Sequence, residues 1–155
     1  MIVRGIVLLT MSTVAVSCTK NSDHAAQPKE SSLQLLMKHQ WNLTSIDVKL
    51  DDSTWANKPL DDYYLQLSDF TVLQFHQNET ADLLEYQEIT DTAGKYHLSY
   101  PTLVITSNYY GYFKSTIAKL NDDTLQVSRP LNETLTDDGT LPDLHINAIR
   151  ETYLH

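Results

Sequence analysis

The hydrophobic pattern changes period once along the chain, separating a short helical lead from a long β region. Ser31 and Ser32 are helix-capping residue types, and Leu33, Leu36 and Met37 follow at spacings of three and four, which predicts a short N-terminal helix. From Trp41 onward, apolar residues recur at every second position. Trp41, Leu43 and Ser45 share one parity and Ile46, Val48 and Leu50 the other, so the first strand should carry a bulge near residues 44–46. Asp51-Asp52-Ser53 ends that strand. Residues 54–67, with Pro59 inside and Asp61-Asp62 before Tyr63-Tyr64, show no clean period and read as a long, partly ordered connection.

Alternation then becomes regular. Residues 70–75 (FTVLQF) and 80–87 flank the polar turn His76-Gln77-Asn78-Glu79 and predict a β-hairpin. Further strands are expected at 95–100, opened by Gly94, at 103–105 beyond Pro101, at 112–120 after the Asn108 to Gly111 turn, and at 125–127. Residues 130–143 read as a polar stretch leading to a last strand, in which Leu144, Ile146 and Ala148 alternate with His145, Asn147 and Ile149. Seven or eight strands at spacings of about 8–12 residues, with almost no helix after residue 40, predict an all-β antiparallel barrel or sandwich. Closure leaves no local signature, so periodicity does not separate the two.

The 155 residues suffice for one domain, and 41% hydrophobic with 20% charged residues is ordinary globular usage, which excludes wholesale disorder. Twenty acidic side chains against 11 basic ones give a net charge of −9, without the basic footprint of a nucleic-acid binder; DNA and RNA are not expected partners. One cysteine forms no intrachain disulfide and no multi-cysteine zinc site.

That cysteine closes a distinctive N-terminal segment. Arg4 is followed by an uncharged, largely apolar run from Ile6 to Val16 ending in Ser17-Cys18, the arrangement of a secretory signal peptide. The run is shorter than the roughly 20 apolar residues needed to span a bilayer. Ala15-Val16-Ser17-Cys18 resembles the lipobox of bacterial lipoproteins, with alanine in place of the usual leucine. The resemblance implies that residues 1–17 are a lipoprotein signal peptide and that Cys18 is lipidated, becoming the first residue of the processed chain. Multiple acyl chains meet the requirement of at least two signals for stable anchoring. Residues 19–30 are polar and aperiodic, so 18–30 would form a flexible tether with a reach on the order of 20 Å, leaving 31–155 as the domain. An acidic surface should keep that domain from lying flat on anionic lipid.

A short helix leads into Gln40-Trp41-Asn42-Leu43, Asp69-Phe70 with Leu73-Gln74-Phe75, and Asn78-Glu79-Thr80. Gly94-Lys95-Tyr96-His97-Leu98, Leu103-Val104-Ile105 and Asp123-Thr124-Leu125 follow in order. Over residues 31–155 this succession resembles the small lipocalin-like lipoproteins common in Bacteroidetes. It departs from lipocalins at His39, where they often have glycine, and at Asn78-Glu79-Thr80, which replaces an Asp-Gly-Thr turn. The resemblance implies an up-and-down barrel of about eight strands, either filled by side chains or holding one small ligand. It further implies a cell-envelope location, on the periplasmic or surface side of the outer membrane. Trp41 would lie at the closed end of the barrel, packed against Arg150 from the last strand.

Candidate chemistry is sparse. The six histidines are scattered singly, and His97 and His145 fall on the parity opposite their apolar neighbours, so both should face outward. Four aspartate pairs, at 51–52, 61–62, 122–123 and 137–138, fall in expected loops, where aspartate favours turns. With no glycine-rich phosphate loop and no Gly-x-Ser-x-Gly elbow, neither an enzyme nor a resident metal or cofactor is expected. A hydrolase or metalloenzyme would require His97, His145 and neighbouring carboxylates to converge. The tyrosines are more suggestive: Tyr109, Tyr110 and Tyr112 cluster at one turn and are candidate contacts for a ligand or partner. The leading expectation is a lipid-anchored lipocalin-like protein binding a small apolar or amphipathic ligand. The alternative is an envelope protein- or glycan-interaction module with a filled barrel. An open apolar cavity would favour the first and a packed interior the second.

Overall fold

The computed structural model describes residues 30–50, 54–85, 90–136 and 143–155, with Asp62, Tyr63 and Glu85 described through their backbone alone. The lipobox-like segment with Cys18, the tether up to residue 29, and the aspartate pairs at 51–52 and 137–138 lie outside the described residues.

The chain enters through α1 (Ser32–Lys38), where the expected helix forms. Ser31 accepts from Gln34 N and the Gln34 side chain accepts from Ser31 N, a reciprocal capping box that satisfies two otherwise orphaned amides. The helix buries Leu36, whose carbonyl accepts the Trp41 indole N–H at 2.8 Å.

β1 (Gln40–Lys49) follows, with the expected bulge between Leu43 and Ser45. One of its edges pairs with β9 (Leu144–Leu154). The other is shared: residues 40–42 pair with β3 (Phe70–Phe75), and residues 46–49 pair with β2 (Trp55–Lys58). β2 and the turn of helix α2 (Asp62–Leu65), capped by the Asp61 carboxylate on Tyr64 N, occupy the stretch expected to be a partly ordered connection. Four residues ending just short of Pro59 are too few to show a period. Their order comes from pairing with β1.

The remaining strands meander: β4 (Thr80–Glu85), β5 (Thr90–Ser99), β6 (Thr102–Ser107), β7 (Gly111–Leu120) and β8 (Thr124–Leu135), each antiparallel to the next. The pairing of β9 with β1 closes eight strands into an up-and-down barrel, with β2 as a ninth strand extending one wall. Closure removes the sheet edges that an open sandwich would leave. The stretch after Pro130, expected to be polar loop, instead continues β8 through a bulge between Pro130 and Glu133, with Asn132 at φ 56°. A bulge is where a strand accommodates a residue without an N–H to donate.

Two apolar cores result. The larger, under α1, contains Leu36, Trp41, Leu73, Phe75, Leu83, Tyr96 and Leu125. The smaller, beneath the β2–α2 insertion, contains Ile46, Val48, Leu67, Leu135, Ile146 and Ile149.

Candidate functional site

Among the described residues, aromatic side chains pack across the barrel interior. Phe70 meets Phe113 edge-on at 5.0 Å and Phe75 meets Tyr96 at 4.9 Å, geometries that fill space as well as attract. The inner cavity, lined by Phe70, Leu73, Leu103, Ile105, Phe113 and Val127 among others, has about 10 Å³ open to water, room for about one molecule. A broader groove of about 260 Å³ lies on the outer wall beside Val72, Gln74, Asp82 and Leu84.

Charged groups form the floor of the inner cavity. Alternation along β8 and β9 turns Arg129 and Glu151 inward, and the segment just before β3 supplies Ser68 and Asp69. The Arg129 guanidinium pairs with Asp69 and donates to the Leu67 carbonyl at 2.8 Å. Ser68 Oγ lies 2.6 Å from Glu151 Oε1 and 3.0 Å from the Phe70 carbonyl, which also accepts from the Tyr153 hydroxyl at 2.9 Å. Three consecutive residues of the insertion are therefore tied to two side chains of the barrel wall.

The proton count of this cluster follows from its geometry. Two carboxyls face one guanidinium, so full ionisation would leave a buried negative charge. Burial pushes the Asp69 carboxyl up to about 7 despite Arg129, with Glu151 and Glu133 adding repulsion. Burial also raises Glu151, against the pull of Arg129 and the hydroxyl contacts. Ser68 carries one proton and has two acceptors beside it, so a proton on Glu151 completes the chain of hydrogen bonds. Asp69 and Glu151 titrate as a coupled pair, both raised by burial.

Sequence reading missed this cluster. It placed Ala148 with Leu144 and Ile146 on the inner parity, but the inward positions shift between Ile146 and Ile149, opposite the β8 bulge. Beyond that point Ile149, Glu151 and Tyr153 point inward. The signal was the shared parity of an aliphatic and an aromatic residue with the glutamate between them.

Arg150, next in the chain, points outward. It lies opposite Asp47, roughly 20 Å along β1 from the inward-facing Trp41 at about 3.3 Å per residue. The expected contact between Arg150 and Trp41 is therefore replaced: the guanidinium stacks 4.7 Å over the Trp55 ring and bonds to Asp47 Oδ2 through Nε at 2.9 Å and Nη2 at 2.8 Å. Trp55 belongs to β2, which sequence reading left as connection. Trp41 is core, fixed by Leu36 and met edge-on by His39.

No family model and no curated protein matches this chain.

The tyrosine turn is exposed and hydrogen-bonded from beneath. Tyr109, Tyr110 and Tyr112 are 63%, 48% and 66% exposed. Beneath them the buried Asp91 carboxylate accepts from Asn108 N at 2.7 Å, Asn108 Nδ2 at 2.9 Å and Ala93 N at 3.0 Å. Burial opposes its charge, but these hydrogen bonds prevail and hold it below the usual carboxylate range. Ser107 Oγ accepts from the backbone amides of Tyr109 and Tyr110, and Gly111 at φ 90° completes a turn that strains any side chain. His97 and His145 face outward on β5 and β9, separated by three strands, and do not converge. Among the described residues no three His, Cys, Asp or Glu side chains gather as metal ligands would.

Proposed function

We propose that the protein is a non-enzymatic interaction module of the cell envelope, held by a lipid on Cys18, whose lipocalin-like barrel is a filled scaffold and whose contacts are made on its outside. The observation that carries this reading is that the inner cavity bounded by Phe70, Leu73, Phe113 and Arg129 offers only about 10 Å³. An eight-strand barrel serves equally as a filled core or as a holder of one small ligand, and the small inner cavity supports the first use. An acyl chain has no room beside Phe70, Phe113 and Tyr153. The exposed tyrosines on a hydrogen-bonded turn provide contact area whose ordering cost has already been met in the fold.

Titration of the full chain with a fluorescent fatty acid tests this. The expected result is no saturable uptake by the wild type. Saturable uptake by the wild type would contradict the reading. The anchor is checked by mass: a diacylglyceryl adduct on Cys18, absent from Cys18→Ala.

A further inference from the structure

Charge is distributed unevenly over this acidic chain. Residues 92–121 contain no aspartate or glutamate but hold Lys95, Lys114 and Lys119, within a protein of net charge −9. That stretch folds into most of β5, all of β6 and β7, and the tyrosine turn, which form one continuous wall of the barrel. Register fixes the outward positions. Lys95, Thr106 and Tyr112 stand side by side in one row across the three strands, and His97, Val104 and Lys114 form the next. The row below is made of three hydroxyl side chains. Lys95, Lys114 and Tyr112 are all exposed, and Glu79 stands at the rim, 3.9 Å from His97. Asp91 beneath the turn is buried and occupied by backbone amides.

Resting on the reading that the outer surface makes the contacts, we propose that this wall of β5–β7 with Tyr109 and Tyr110 above it is a binding face for an anionic, carboxylated glycan. The face is positive where the rest of the protein is negative, so its occupant carries negative charge. Its outer strands stand roughly 10 Å apart with rows about 7 Å apart, placing the Lys95 and Lys114 ammonium groups to bracket a segment of two or three sugars. The rim tyrosines offer flat apolar area with polar tips, suited to the faces of sugar rings, and threonine hydroxyls between them suit sugar hydroxyls. Val104 is the lone aliphatic residue in these two rows, whereas a protein partner calls for an apolar centre. Three lysines on a strongly acidic body are poorly matched to an anionic membrane, where each basic residue contributes only about 1 kcal/mol.

Calorimetric titration of the full chain with polygalacturonate, at low and high salt and with neutral dextran in parallel, tests the proposal. Saturable binding is expected, weakened by salt and absent for dextran. Lys95→Glu combined with Lys114→Glu should weaken it about tenfold or more, and Tyr112→Ala should weaken it less, both with unfolding transitions like the wild type. Undiminished binding by the double variant, equal binding of dextran, or no polygalacturonate binding would each overturn it. So would a preference for mixed phosphatidylglycerol–phosphatidylcholine vesicles over the polysaccharide. Should polygalacturonate fail while fatty acid is still refused, only this inference falls; uptake of fatty acid removes the reading beneath it.

Discussion

Two arginines on neighbouring strands, one position apart in register, face opposite ways, and their surroundings show what burial does to one chemistry. Arg129 points inward to Asp69, with Glu151 close by, in a cavity with room for one water. Arg150 points outward to Asp47 beneath the Trp55 ring. Outside, one cation meets one anion, and water compensates any loss. Inside, one cation faces two acids, and burial raises both carboxyls. The inner cluster thus ties the insertion to the barrel and makes its stability depend on pH, while the outer pair closes a short strand onto β1.

The largest effect should come from Arg129→Met. Removing the cation leaves two acids in the interior, and loss of one partner of a buried pair costs about 3–5 kcal/mol. Chemical denaturation at neutral pH measures it. A loss no larger than that of an outer-wall variant would break the contrast.

Next comes pH. A carboxyl whose folded-state value is raised binds its proton more tightly in the native protein. Its stabilising contribution is complete below the unfolded value of about 4 and is lost as pH rises through about 7. Stability should therefore increase by about 2–4 kcal/mol between pH 8 and pH 5. Asp91 has the opposite sign: its depressed value supplies stability that is lost as pH falls below about 4. Denaturation midpoints should peak near pH 5, and Asp69→Asn with Glu151→Gln should flatten the rise from pH 8. An unchanged slope in that variant would assign the dependence elsewhere.

Arg150→Ala should cost only about 1 kcal/mol, as expected for a partly exposed pair. Its coupling to Trp55, measured by a double-mutant cycle with Trp55→Leu, should be smaller still, about 0.5–1 kcal/mol. Zero coupling would mean that the guanidinium serves Asp47 alone.

Legibility in the sequence followed the same division. Strands with alternating faces, such as residues 70–75 and 112–120, and the bulge at Leu43 to Ser45 were readable because period two is a local property. Closure was not readable from periodicity, since the β1–β9 pairing joins residues far apart in the chain; the expected eight-strand barrel came from the lipocalin-like resemblance alone. β2 escaped because four residues carry no period, and with it escaped the true partner of Arg150. Arg129 and Glu151 escaped because charged residues on a strand suggest the solvent face; Arg129 continues the inward parity of Leu125 and Val127, and the parity change opposite the β8 bulge places Glu151 inside. The tyrosine turn was visible as a cluster; its hydrogen bonding from beneath was not, because Asp91 reaches it from a neighbouring strand.

Binding on the outer wall is proposed because the inner cavity is so small. A crystal structure of the protein purified from its own cells without delipidation tests that most directly. The account predicts density for at most a single water between Phe70, Phe113, Arg129 and Glu151. Continuous density for an acyl chain there, with these side chains displaced, would contradict it.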